Sequence, residues 1–435
     1  MALRKLIYQA FIWRSLNYVS IFFLNIITAR ILGASESGEI YYVITFFSLL
    51  ILFASLNLES SLSYFSLSKE INTNALVSTA LFWIACFSII FFSCFDLIEP
   101  IIPSLKRTYL QEYSLLFITG MLLSTYYTSL FYGKKSFSYP NIISFISNFS
   151  VFVYIISAPI FGLAISSYDY IIFYFIVSFL QGLAIMIIFH SKYIVKFRFQ
   201  LLSPFQLNKI LRYSAFTFVT SIFLFLLYRI DYWLILKLNS SPKVKIELGN
   251  YIQVSKLIFT FQVFSSMIGS GVFSGTVSNN LIRRDKTLGM IIRCCFYIGI
   301  VVFLFLAIFG QRLFVWIYGE TFELMYDCFL LILPGSILLM TASVTANYLS
   351  GLGKVTYNLF GVSISLALII ILDLIYIPKY GIYAAATISG ISYFVYGLFM
   401  LFLFSKHYEG GWKEVFNFEN DIALVRAFIS KKRHE

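Results

Sequence analysis

The sequence predicts an all-α polytopic membrane protein, with about 12 transmembrane helices in two pseudo-symmetric six-helix bundles around a central cavity. Three observations carry this reading. Apolar stretches, each near the roughly 20 residues a helix needs to cross about 30 Å of hydrocarbon, fill the chain and leave no soluble domain between them. The composition agrees, with 60% hydrophobic residues, 12% charged residues and a mean hydropathy of +0.85. The two halves of the chain also echo each other.

In order, the runs place helices over 8–32, 38–58, 76–95, 113–132, 141–161 and 170–190, then over 213–238, 250–277, 289–309, 326–349, 359–376 and 382–405. The first run is basic at its start, but Arg14 and Asn17 interrupt it and no small-residue cleavage site follows. It reads as a retained helix rather than a signal peptide. The connectors are short, the longest being 59–75, 96–112, 191–212 and 310–325.

Lys and Arg in those connectors set the orientation. With the N-terminus in the cytoplasm, 20 of the 32 basic residues fall in inside segments and 6 in outside loops. Both termini are therefore expected to be cytoplasmic. The net charge of +12 is mostly this topological signal and gives no ground for a nucleic-acid partner. After residue 405, Ile422, Val425, Phe428 and Ile429 form an apolar stripe that ends in Lys431, Lys432 and Arg433, which suits a short helix lying on the inner membrane surface. Cys86, Cys94, Cys294, Cys295 and Cys328 have no CxxC spacing and read as buried apolar residues. The three histidines are too scattered for a metal site. No metal or cofactor is expected.

A basic loop at 191–212 divides the chain into a bundle over 1–190 and a second over 213–405, with a tail over 406–435. Gly38 precedes Tyr41 after the first span, as Gly249 precedes Tyr251 after the seventh, and Gly133-Lys134 and Gly353-Lys354 close spans four and ten. Six spans per half give both copies the same orientation. Parallel repeats of this kind build transporters that rock around a site between the halves.

The segments ARILGASESGEIYYV (29–43), RIDYWLI with LGNYIQVSKL (229–235, 248–257), and YLSGLGK with IPKYGIYAAA (348–354, 377–386) occur in this order. Together they resemble the bacterial polysaccharide flippases, the O-antigen repeat-unit translocases of the multidrug/oligosaccharidyl-lipid/polysaccharide exporter superfamily. The resemblance runs from about residue 5 to 405. It implies a bacterial inner-membrane protein that moves an undecaprenyl-diphosphate-linked oligosaccharide from the cytoplasmic to the outer leaflet by alternating access. It also implies a polysaccharide polymerase and a chain-length regulator as partners.

An ionisable group inside a span costs upward of about 2.5 kcal/mol and usually faces a partner or a wet cavity. On span one, Arg14, Asn17, Tyr18, Asn25 and Thr28 fall on one helical stripe. That stripe suits a cavity wall; the alternative is helix–helix hydrogen bonding with Arg14 snorkelling inward. Arg30 lies on the opposite side, where it would contact substrate, reach the outer headgroups, or pair with Glu36 or Glu39. Arg229 and Asp231 are two residues apart, so their side chains diverge by about 200° and each needs another partner. One arrangement puts Arg229 on a phosphate or sugar and Asp231 on a cation such as Lys256; the other makes them a structural ion pair between spans. Arginine suits the implied cargo because its guanidinium fork meets phosphate oxygens two at a time. The candidate substrate-binding residues are thus Arg14, Asn17, Asn25, Arg30, Arg229, Asp231 and Lys256.

Two other functions fit a chain of this class. A membrane polysaccharide polymerase or ligase would carry a large outer loop bearing its chemistry. Here the outer connectors 96–112 and 310–325 are short and hold no His with convergent acids, and no span carries a G-x-S-x-G pattern. The chain therefore reads as a non-enzyme. A multidrug/cation antiporter of the same superfamily would rely on acids in the first half, but span one has none and Glu59 sits at the edge of span two.

Overall fold

The computed structural model describes residues 2–68, 70–95, 110–162, 164–277, 286–409 and 411–415, and among them every regular element is helical. The helices are α1 (Ala2–Ser55), α2 (Leu58–Ser68), α3 (Thr73–Ser93), α4 (Leu110–Gly133), α5 (Ser138–Ile160), α6 (Ser167–Tyr193) and α7 (Pro204–Leu238). They are followed by α8 (Val244–Val277), α9 (Lys286–Tyr318), α10 (Met325–Gly351), α11 (Val355–His407) and the short α12 (Gly411–Val415), with a 3-10 turn at Glu320–Phe322. Most of the expected connector 96–112 and the apolar stripe over 422–433 lie outside the described residues.

Ten of these helices are long and apolar enough to cross a membrane. Two are of double length, with spanning stretches of 44 and 52 residues. Each contains one glycine with non-helical backbone, Gly33 (φ 75, ψ 177) in α1 and Gly381 (φ 54, ψ −134) in α11. Only a residue without Cβ takes such angles at little cost, so the helix can bend sharply there. Counted as pairs, these two bring the crossings to the twelve that the sequence predicts.

Span two departs from its expected bounds. The segment expected as connector 59–75 is largely helical, because α2 follows a break at which Leu56 and Asn57 both have positive φ (45 and 53). Its serines and Glu59 lower the hydropathy below that of a span. Leu58, Leu62 and Phe65 nevertheless lie one helical turn apart and are buried, and the Ser61 hydroxyl donates to the Ile210 carbonyl at 2.9 Å. Packing, not composition, holds this helix. In the same way α9 runs to Tyr318, so half of the expected connector 310–325 is helix.

The chain divides into two compact units, Met1–Phe225 with Ile317–Phe322, and Leu226–Trp316 with Glu323–Glu435. In the first, a Cβ on Gly120 of α4 would sit 2.4 Å from the Phe179 Cα of α6, and one on Gly182 would sit 2.2 Å from the Gly120 carbonyl oxygen. In the second, a Cβ on Gly335 of α10 would lie 2.0 Å from the Gly390 carbonyl oxygen of α11. Lipid tails are as apolar as leucine, so helices in a membrane associate through such close backbone approaches. Spans four and six of one half and ten and twelve of the other thus cross at glycine in the same way.

The two C-terminal caps of these helices refine the repeat. Ser136 N–H donates to Phe131 O and Lys354 N–H to Leu349 O, both at 2.9 Å, with Lys135 (φ 59) and Gly353 (φ 77) in the left-handed conformation. The caps align Lys135 with Gly353, two residues away from the register in which Gly133-Lys134 matches Gly353-Lys354.

Candidate functional site

Each unit brings polar side chains together among its long apolar helices. In the first unit, Arg14, Asn17 and Ser20 lie in the N-terminal part of α1. The Arg14 guanidinium carbon lies 4.9 Å from the centre of the Tyr132 ring on α4, a cation–π contact. Asn141 Nδ2 donates to the Tyr132 hydroxyl at 3.1 Å and to the Phe137 carbonyl at 2.7 Å. Two turns further along α5, Asn148 Nδ2 donates to Asn17 Oδ1 at 3.0 Å and to Ser20 Oγ at 3.1 Å. Arg14 and Asn17 therefore belong to a polar seam between α1, α4 and α5. Asn25, half-buried, sits two turns beyond Asn17 on the same helix.

Arg30 stands apart from that seam. It is exposed, and its Nη1 donates to the Ile317 carbonyl at 3.0 Å. Beside it, Ala34 N–H donates to Thr321 Oγ1 at 3.1 Å, so the turn Ile317–Phe322 seats on the bend at Gly33. Glu36 accepts from the Ser167 N–H at 2.8 Å, at the start of α6.

In the second unit, Arg229 of α7 faces a small pocket lined by Tyr228, Ser255, Phe259, Ile332, Leu339 and Tyr393 among others. Its guanidinium carbon lies 5.3 Å from the Tyr232 ring centre and 5.5 Å from that of Phe259, and Nη1 donates to the Tyr232 hydroxyl. Lys256 of α8 is near enough to Arg229 to interact with it electrostatically, but it is not part of the pocket lining. Arg229 thus stands in an aromatic, largely apolar pocket with no acid in its lining. A water-poor surround of this kind strengthens the attraction of an anion to its charge.

Asp231, two residues from Arg229, points elsewhere. Its Oδ2 accepts from the Ser389 hydroxyl of α11 at 2.6 Å and from the Tyr251 hydroxyl of α8, which also lies 3.0 Å from Ser389 Oγ. Asp373 of α11, fully buried, is near enough for the two carboxyl groups to interact. Two carboxyl groups facing each other away from water need a shared proton or a cation between them. Among the described residues no group of three or more His, Cys, Asp or Glu could hold a metal ion.

Sequence reasoning singled out Arg14, Asn17, Arg229, Asp231 and Lys256 but not their partners Tyr132, Asn141, Asn148, Tyr232, Tyr251 and Asp373. Asp373 had a signal, as a lone carboxyl inside SLALIIILDLIYIP. The tyrosines had none, because 31 of them populate the chain. Asp231→Ala removes two buried hydrogen bonds and is expected to cost on the order of 2 kcal/mol. Asp231→Asn keeps an acceptor and should melt close to the parent. Equal melting temperatures in detergent for all three proteins would contradict the hydrogen-bonded arrangement.

Comparison with solved structures places the fold. A lipid II flippase MurJ in an inward closed conformation superposes with a TM-score of 0.67 at 15% identity, over 91% of this chain and 86% of that one. An inward-facing multidrug resistance MATE family transporter of the MOP superfamily gives 0.69 at 12% identity, over 93% and 99%. A MOP superfamily transporter from Pyrococcus furiosus, whose description notes a reversed polarity of its binding pocket, gives 0.61 at 11% identity, over 94% and 96%. No protein-family model and no curated protein matches the sequence. At these identities the likeness is one of fold, shared by a lipid flippase and by multidrug transporters.

Proposed function

We propose that this protein is a lipid-linked oligosaccharide flippase, which moves undecaprenyl-diphosphate-linked repeat units of an O-antigen-type polysaccharide from the cytoplasmic to the outer leaflet by alternating access. The observation that carries the reading is the Arg229 pocket, where a guanidinium stands among aromatic rings without an acid in the lining. A diphosphate carries about two negative charges and loses hydration on entering such a site. Guanidinium N–H groups replace water at its oxygens, and the rings offer faces for sugars. The polyprenyl chain stays in lipid while the headgroup moves. A membrane potential negative inside favours outward movement of an anion by about 2.3 kcal/mol per charge per 100 mV. Arg14 and Asn17 supply the polar counterpart in the first unit. A cation-exporting function is less well served, because the buried acids Asp231 and Asp373 are outside the pocket lining and Asp231 is already engaged by Tyr251 and Ser389.

Deleting the gene should stop surface polysaccharide while lipid-linked repeat units accumulate on the cytoplasmic side. Single, unpolymerised units displayed outside would mean that translocation is intact and would favour the polymerase reading. The bilayer is the working medium, and a polymerase with a chain-length regulator would act on the product. The proposed orientation, with both termini and the 191–212 loop cytoplasmic in a bacterial inner membrane, has its own test. Lys196→Cys should resist labelling by impermeant maleimide in intact cells and label after permeabilisation. Labelling in intact cells would reverse the topology.

A further inference from the structure

Between α6 and α7 the chain reads VKFRFQL over 195–201, with apolar and polar residues alternating throughout. That is the period of an extended chain, whose successive side chains point to opposite sides. Such a stretch ordinarily lays its apolar side on a core. Here Val195 is 99% exposed, Phe199 60%, Leu201 58%, and Phe205 at the start of α7 79%. An apolar row this open on a folded protein marks a surface for something else to cover.

The stretch is nevertheless held in place. Asn74 Nδ2 donates to the Lys196 carbonyl at 3.4 Å, and Gln200 N–H donates to Ser78 Oγ at 3.0 Å, both near the start of α3. The Phe197 ring centre lies 5.5 Å from that of His190, and Lys209 is ion-paired with Glu70. This is a strap tied to the ends of spanning helices.

Its charge and its level say what covers it. The 22 residues over 191–212 hold five cations and no acid. Lys192 is taken up by Tyr139 and Lys209 by Glu70, while Lys196, Arg198 and Arg212 stand exposed. At 35 residues α7 is about 52 Å long, against a hydrocarbon core of about 30 Å. Its first turns therefore emerge among lipid headgroups. Exposed apolar side chains beside exposed cations at that depth match the boundary between acyl chains and phosphates.

We propose that residues 195–205 form an interfacial strap that seats Val195, Phe199, Leu201 and Phe205 in the acyl boundary and collects anionic phospholipid headgroups through Lys196, Arg198 and Arg212. The occupant is the anionic lipid of the leaflet on that face, the cytoplasmic one by the charge bias. The inference rests on the helices spanning a membrane and not on the cargo, so it can fail while the flippase reading stands, and the reverse.

The test places a photoreactive benzoylphenylalanine at Phe199 in the full chain, reconstituted in nanodiscs of mixed phosphatidylglycerol and phosphatidylethanolamine. The same probe at Phe360, 62% exposed on α11, serves as a reference for bulk lipid. After irradiation, mass spectrometry should find phospholipid adducts at both positions. At 199 phosphatidylglycerol should be enriched about fivefold or more over the ratio at 360, as one or two cations near a headgroup would give. The double substitution Lys196→Glu, Arg198→Glu should remove the enrichment while adducts persist. Absence of lipid adducts at 199 would put the row in water. An unenriched ratio would remove the anionic-lipid assignment. Adducts to a protein in native membranes would show a protein-docking face instead. Each of these three results overturns the proposal.

Discussion

Arg229→Ala is expected to reduce export of lipid-linked repeat units about tenfold to a hundredfold with little change in folding. The guanidinium projects into a pocket, and its protein contacts are ring faces and one phenol. Alanine leaves Tyr232 to find another partner and buries no unpaired charge. What it removes is a charge-assisted contact to the moving phosphate, worth about 1.5–3 kcal/mol. Arg229→Lys should restore only part of the rate, because a single ammonium cannot meet two phosphate oxygens as the planar fork does. The measurement is surface polysaccharide per unit of membrane-inserted protein in a complemented deletion strain. Full activity in the alanine variant would remove Arg229 from the transport path.

The largest effect on stability is expected at the glycine crossing of α10 and α11. A Cβ on Gly335 would lie 2.0 Å from the carbonyl oxygen of Gly390, so even Gly335→Ala forces two helix backbones apart. Neither neighbour is a side chain that can swing away. Helices in lipid depend on close packing rather than on water exclusion, so spreading them forfeits contacts along the whole crossing. A loss of about 4–5 kcal/mol places this among severe single substitutions. Gly353→Ala, at an open left-handed turn with nothing within 4 Å of its Cβ, should cost only about 1 kcal/mol. Monodispersity and melting temperature in detergent separate the two. Similar behaviour of the variants would contradict the close crossing.

Much of the fold was legible because hydrocarbon imposes one periodic requirement on every span. Arg14, Asn17 and Arg229 stood out for the same reason, since polar atoms interrupt otherwise apolar runs. Three features were hidden. The helix over Leu58–Ser68 is rich in serine, and its stability lies in contacts such as Ser61 with Ile210 that join residues far apart in the chain. The bends at Gly33 and Gly381 look like many other glycines until the backbone is seen. The proximity of Asp231 to Asp373, 142 residues apart, follows from how α7 and α11 fold together and not from spacing along either helix. Conversely, Arg30 interrupts its span as conspicuously as Arg14 does, yet it donates to a backbone carbonyl at the end of α9.

The central claim is that an anionic, lipid-linked glycan is the cargo. Purified protein in liposomes, with an undecaprenyl-diphosphate oligosaccharide loaded in both leaflets, allows a direct reading by a glycan-cleaving enzyme added outside. The account predicts that nearly all of the glycan becomes cleavable with the parent protein, about half with empty liposomes, and close to half over the same interval with Arg229→Ala. Parent liposomes that leave half of the glycan protected, while the same preparation exports a cationic dye, would contradict it.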